Sequence, residues 1–252
     1  MDFKGKVAIV TGASRGMGFS ISDRLASEGM QLALVARIRK PLEIAQEKIR
    51  SNNGNARFFC TDVRDENQVK SMVEDVLEKF GRIDLLVNNA FWAPPGSLET
   101  VTEEIWDRTV DTTLKGAYLC SRAVVPHFKE TGGGSIVNIG SVASKAGEDK
   151  RSPYCAAKWG LEGFTAALRE ELGKFDIRVH LITPAATDTP SWKEYGVDLT
   201  VEQKKRMIPP EVIADAVFWV LDKPPAVIVP ELVIRNFQDP FPGKSSPFED
   251  AN

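Results

Sequence analysis

Three observations predict a doubly wound α/β fold. Short β-rich runs alternate with helical patterns almost from end to end of the 252 residues. The first run, Val7-Ala8-Ile9-Val10, passes straight into a glycine-rich turn and a helix. No internal repeat, low-complexity linker or composition break divides the chain. Strands separated by helices form a parallel sheet covered on both faces, and right-handed crossovers make it doubly wound. The expectation is a single Rossmann-type domain with a mostly parallel seven-stranded sheet and helices on both faces.

The elements follow in order. The helix after the first run spans Gly16 to Glu28 and is closed by Gly29. Leu32-Ala33-Leu34-Val35 and Ala56-Arg57-Phe58-Phe59 are the next strands. Over 66–80, Val69, Met72, Val73, Val76, Leu77 and Phe80 form one apolar helix face, which Gly81 ends. Further strands are read at Leu85-Leu86-Val87, Ile136-Val137-Asn138-Ile139, Val179-His180-Leu181-Ile182 and Val227-Ile228-Val229. Gly132-Gly133-Gly134 reads as a flexible approach to the fifth strand. From Asn236 to Asn252 prolines stand in aperiodic sequence, so this stretch reads as a tail or subunit clasp.

Composition narrows the function classes. With 42% hydrophobic and 27% charged residues, the chain has ample apolar material for a core, which excludes wholesale disorder and a disulfide-stapled mini-protein. Lys+Arg 32 against Asp+Glu 35 leaves a net charge of −3, so no whole-molecule basic field attracts nucleic acid or anionic membrane. Cys60, Cys120 and Cys155 are an odd count without CxxC spacing, as expected of free thiols in a reducing compartment. No signal-peptide core opens the sequence, and no apolar stretch reaches the roughly 18 residues of a spanning helix. A cytoplasmic protein with a small-molecule substrate, no membrane span and no metal is expected. His127 and His180 lack partners at metal-ligand spacing and read as structural.

The turn after the first strand is Thr11-Gly12-Ala13-Ser14-Arg15-Gly16-Met17-Gly18. Glycines here allow a tight turn and a close approach of backbone to a diphosphate, which sits on the helix N-terminus. A P-loop is excluded because no Gly-Lys-Ser/Thr follows. The TGxxxGxG spacing resembles that of the short-chain dehydrogenase/reductase family, from about Lys6 to the last strand near Ile234.

That resemblance implies a nicotinamide cofactor held by Gly12, Ser14, Arg15, Gly16, Met17 and Gly18. NAD enzymes of this fold place an acidic residue at the end of the second strand. Here Ala36 and Arg37 stand there, so a 2′-phosphate meets no carboxylate and a guanidinium can grip it; NADP(H) is expected, with Arg15 as the second cation. Asp62 and Val63 then fall beside the adenine and Asn89 beside the adenosine ribose. Pro184, Thr187 and Thr189 follow the sixth strand in the nicotinamide and diphosphate positions. Phe91 replaces the glycine of the family's NNAG, where it is expected to reshape the nicotinamide side.

The catalytic residues implied are Ser141, Tyr154 and Lys158. Tyr154 and Lys158, at i and i+4, share a helix face, with Ser152 read as N-cap and Pro153 at the first helical position. A phenol ionises near pH 10, too high for neutral proton transfer, so a nearby ammonium is needed to bring it down. Tyr154 is then the general acid/base, Ser141 polarises the substrate oxygen, and Lys158 holds the ribose and lowers the phenol pKa. Thr113 stands where relatives carry an Asn that anchors a water relay to the lysine. Phe91, Trp92, Trp192 and Tyr195 fall on loops at the carboxyl edge of the sheet, as walls of a partly apolar substrate site or as lid residues packing on each other. Trp106, Trp159 and Trp219 read as packing or subunit-contact residues of a homodimer or homotetramer. The activity implied is interconversion of a carbonyl and a secondary alcohol. An NADP-binding regulatory or scaffold protein on the same fold is the alternative. The short stretch after Thr183 leaves little room for the substrate region of a sugar-nucleotide epimerase.

Overall fold

The computed structural model describes residues 2–243 and 247–248. Its elements in order are β1 (Val7–Thr11), α1 (Gly16–Ser27), β2 (Gln31–Ala36), α2 (Arg39–Ser51), β3 (Asn55–Cys60), α3 (Glu66–Phe80) and β4 (Leu85–Asn88). Next come α4 (Glu103–Val110), a π-helical turn (Asp111–Lys115), α5 (Gly116–Thr131), β5 (Gly134–Ile139) and α6 (Ser152–Leu172). The chain continues through β6 (Ile177–Pro184), α7 (Ser191–Glu194), α8 (Val201–Arg206), α9 (Pro210–Leu221) and β7 (Glu231–Ile234).

The seven strands form one sheet in the order β3-β2-β1-β4-β5-β6-β7, and all six pairings are parallel. Alternate β1 residues explain the two cores. Ala8 and Val10 pack with Ile21 and Leu25 of α1 and Val217 of α9. Val7 and Ile9 point the other way, to Met72 and Val76 of α3 and Phe128 of α5. A strand buried on both faces has no room for polar positions, hence its unbroken apolar run. Full burial of one such side chain contributes about 1.5–3 kcal/mol.

Three expectations are corrected. The seventh strand is Glu231–Ile234, not Val227–Val229. Glu231 fixes that register: its carboxylate accepts a hydrogen bond from Thr183 Oγ1 at 2.8 Å and pairs with Lys145 at 2.9 Å. The N-cap of α6 is Arg151 rather than Ser152, so Pro153 is the second helical residue, although Tyr154 stays in the first turn. Gly132-Gly133-Gly134 answers to steric demand rather than flexibility. Gly132 (φ 79°) and Gly133 (φ 139°) are left-handed, and a Cβ on Gly134 would stand 2.5 Å from the Phe128 ring.

Candidate active site

The order of the sheet reverses between β1 and β4, and their carboxyl ends open onto a cleft. Thr11 ties these ends together. Its hydroxyl donates to Val87 O (3.3 Å) and accepts from the N–H groups of Asn89 (3.0 Å) and Ala90 (3.1 Å). The Asn89 amide reaches back to Thr11 O (2.9 Å) and Gly12 O (3.3 Å), bracing the turn from behind. Gly12 adopts φ +65°, and a Cβ there would stand 2.8 Å from the Asn89 amide nitrogen. A Cβ on Gly18 would run into Gly12 O. The turn is therefore a cradle that side chains would fill.

The cleft, about 360 Å³, is lined by Gly12, Ser14, Arg15, Gly16, Met17 and Gly18, by Ala36 and Arg37 at the end of β2, and by Thr61, Val63 and Asn89. The buried Asn89 Oδ1 carries no hydrogen bond, a polar atom with capacity to spare. These residues fit a dinucleotide. Burial, the nearby Arg108 and Arg64 lower the Arg37 pKa, and Asp62 opposes them. Asp62 itself does not line the cleft. Arg64 takes its carboxylate at 2.6 Å and holds it below the usual carboxylate range. Arg15 is also engaged: its guanidinium pairs with Glu194 of α7, across the mouth of the cleft.

A second chamber of about 270 Å³ continues from the cleft, sharing Met17, Asn89, Phe91, Thr189, Ser191 and Tyr195 with it. Ser141, Tyr154, Lys158, Pro184 and Thr187 meet on its walls. Ser141 follows β5 and caps a short 3-10 turn, its Oγ accepting from Ala143 N at 3.2 Å. The Lys158 ammonium is buried and donates to Ile139 O, at the end of β5, at 2.6 Å. Burial, helped by the charge of Arg151, pushes its pKa down to about 7. Burial raises the Tyr154 phenol, while Arg151 and the Ser141 hydrogen bond pull it down. Arg151 is thus a second cation beside the phenol, one that the sequence reading did not include. A lysine held near pH 7 carries only part of a charge at neutrality, which weakens its pull.

Thr113 sits in the π-helical turn, which approaches α6 so closely that a Cβ on Gly160 would stand 2.7 Å from Leu114. Its hydroxyl is buried and makes no hydrogen bond among the described residues. Thr113 does not line either cavity; its neighbour Thr112 lines the cleft. The four loop aromatics divide. Phe91, Trp192 and Tyr195 line the inner chamber, with Phe91 6.2 Å from the Tyr154 ring. Trp92 lines the cleft rather than the inner chamber, and the Arg108 guanidinium covers it at 4.0 Å. Tyr195 OH accepts from Ala93 N at 2.9 Å, tying the loop after β6 to the loop after β4.

Sequence reasoning missed several residues of the chamber. Arg151 is the foremost, although a cation opening a helix against the helix dipole is a visible anomaly. The C-terminal stretch is a second. Phe241 and Phe248 pack on Trp192 at 5.3 and 5.7 Å, so its described part roofs the chamber instead of hanging free. Residues 244–246 and 249–252 of the expected tail lie outside the described residues. The histidines are structural as expected: His180 is bonded to Val229 O at 2.8 Å and His127 accepts from Ile83 N at 3.1 Å. Among the described residues no metal-binding cluster occurs, and no helix is long and apolar enough to cross a membrane.

A glycine cradle opening into a chamber with a serine, a phenol and a buried lysine defines an oxidoreductase of the dinucleotide-binding fold class. Residues 6–199 match the short chain dehydrogenase family, and the chain belongs to it. It is 38% identical over 191 residues to trans-4-hydroxycyclohexanecarboxylate dehydrogenase of Sinomonas cyclohexanicum, covering 73% of each chain. It is 34% identical over 242 residues to D-threitol dehydrogenase of Mycolicibacterium smegmatis, covering 92% of this chain and 93% of that one. A metagenomic short-chain oxidoreductase solved in complex with NADP superimposes with a TM-score of 0.83 at 31% identity, over 94% of this chain and 100% of the other.

Proposed function

We propose that this protein is an NADP(H)-dependent oxidoreductase that interconverts a carbonyl and a secondary alcohol of a small, partly apolar substrate. The observation that carries the reading is the meeting of Ser141, Tyr154 and Lys158 on a chamber continuous with the glycine cleft. The glycine turn, Asn89 and Arg37 hold the cofactor, and the absence of a carboxylate at Ala36 favours a 2′-phosphate. Bound there, the nicotinamide supplies or accepts the hydride.

The chain's own residues handle the proton. Tyr154 donates it to the substrate oxygen in reduction and removes it in oxidation. Ser141 donates a hydrogen bond to the same oxygen, offsetting its developing charge. Lys158, anchored on Ile139 O, would hold the nicotinamide ribose and help to lower the phenol pKa. Thr113 stands in place of the family's Asn, and its hydroxyl, without a partner among the described residues, has the capacity to hold a relay water toward Lys158. Phe91, Trp192 and Tyr195, roofed by Phe241 and Phe248, exclude water and accept an apolar substrate body. The exposed Trp106, Trp159 and Trp219 support a homodimer or homotetramer, and the free cysteines suit the cytoplasm.

Spectrophotometric oxidation of NADPH with a panel of ketones and aldehydes tests the reading. Binding of NADPH without turnover of any of them would mark a cofactor-sensing protein instead.

A further inference from the structure

Arg151 does not belong where local rules would put a cation. It opens the 21-residue helix α6, where the positive end of the helix dipole repels it, and its side chain makes no capping bond. It is only 7% exposed. Its Nε is buried without a hydrogen-bond partner, and no carboxylate among the described residues forms an ion pair with it. Glu148 and Asp239 also line the chamber, but neither closes on the guanidinium, and Asp239 Oδ1 is held by the N–H of Phe241 at 2.8 Å. The guanidinium is instead sandwiched by rings, 4.0 Å from Tyr154 and 4.7 Å from Phe248. A buried charge left in this state costs free energy unless an anion completes it.

From this geometry we infer that Arg151 is a specificity-determining residue that receives a carboxylate, so the substrate class is a keto acid and its hydroxy acid. The inference rests on the chamber being the substrate site of the reductase proposed above. The planar guanidinium matches a carboxylate in a fork, and the N-terminus of α6 adds its own positive end to the same anion. Because Arg151 lies over the Tyr154 ring, an acid held there has its carbonyl within the part of the chamber that Tyr154 and Ser141 line. Phe248 closes the other side of the guanidinium, which keeps water from competing with the anion.

The test compares acids with their neutral esters: acetoacetate, levulinate and benzoylformate, each beside its methyl ester. Turnover is measured with NADPH, and binding to the NADP-loaded protein by isothermal titration. For at least one pair the intact protein should favour the acid by about tenfold or more in kcat/KM and in Kd, the range of a charge-assisted bond. In Arg151→Gln that ratio should collapse to within about threefold, and in Arg151→Lys part of it should remain. Esters accepted as well as every acid, or a preference that survives Arg151→Gln, would overturn the inference and leave the reductase reading standing. Arg151-dependent binding of the acids without turnover of any carbonyl would sink the reductase reading and leave the anion site. If Arg151→Gln fails to fold, Arg151→Lys carries the comparison, and the absence of any acid preference in the unaltered protein overturns the inference by itself.

Discussion

The Arg151 guanidinium stands 4.0 Å from the centre of the Tyr154 ring, closer than the Lys158 ammonium at 5.7 Å. Two cations therefore face one phenol, and they differ in kind. The guanidinium is a planar fork of five donors, whereas the ammonium is a compact group whose pKa burial pushes down to about 7.

Tyr154→Phe removes the proton donor and keeps the ring that Arg151 and Phe91 pack against. Turnover should fall by about 10²- to 10⁴-fold while the Kd for NADPH stays within a few-fold. Steady-state kinetics beside fluorescence titration of the cofactor checks this. A variant retaining more than a tenth of wild-type kcat would remove Tyr154 from its role.

NADPH should bind at least about tenfold more tightly than NADH, because Arg37 reaches the cleft beside Ala36 and forms no ion pair among the described residues. The double change Ala36→Asp with Arg37→Ala should reverse the preference. Arg15 is held by Glu194, so Glu194→Gln should free it and tighten NADPH binding without a matching gain for NADH. Equal gains for both cofactors would show that Arg15 takes no part in the discrimination.

Thr113→Val keeps the shape and removes a buried hydroxyl that has no partner. Stability should rise by about 1 kcal/mol, since an unsatisfied polar group disappears. Activity should fall several-fold if the hydroxyl helps position Lys158. Urea unfolding and a pH profile of kcat separate the two effects. An unchanged profile would leave Thr113 as a packing residue.

Stability without cofactor should climb as pH rises from about 7. Folded Lys158 has lost its proton by then, while the unfolded chain keeps one until 10.5, so the unfolded state binds more protons and stability rises with pH. The window closes near 9.0, where the unfolded Cys120 thiol begins to ionise although the folded one is pushed up to about 12. His180 acts likewise at lower pH. Burial pushes it down to about 4 from 6.5, so stability is lost as pH falls through that range. Urea midpoints at stepped pH should show both slopes, and Lys158→Met should flatten the upper one.

The alternation of strands and helices, the glycine turn and the Tyr154–Lys158 spacing were all legible in the sequence. Each depends on residues close in the chain: a strand with both faces buried must be apolar, and i, i+4 residues share a helix face whatever surrounds them. Asp65, whose carboxylate accepts from the N–H groups of Asn67 and Gln68, and left-handed Gly81 bound α3 by equally local means. Only the tertiary structure decided the seventh strand. β7 lies at the sheet edge, and Val227 and Val233 are both 42% exposed, so hydrophobicity could not separate the two runs; contacts of Glu231 with Thr183 and Lys145 did. The Arg15–Glu194 pair and the packing of Phe248 on Trp192 join residues far apart in the chain, and no local period announces such meetings. Arg151 stands between the two cases. Its place before Tyr154 is local, but its burial and its lack of an ionic partner among the described residues come from the chamber that distant segments close around it.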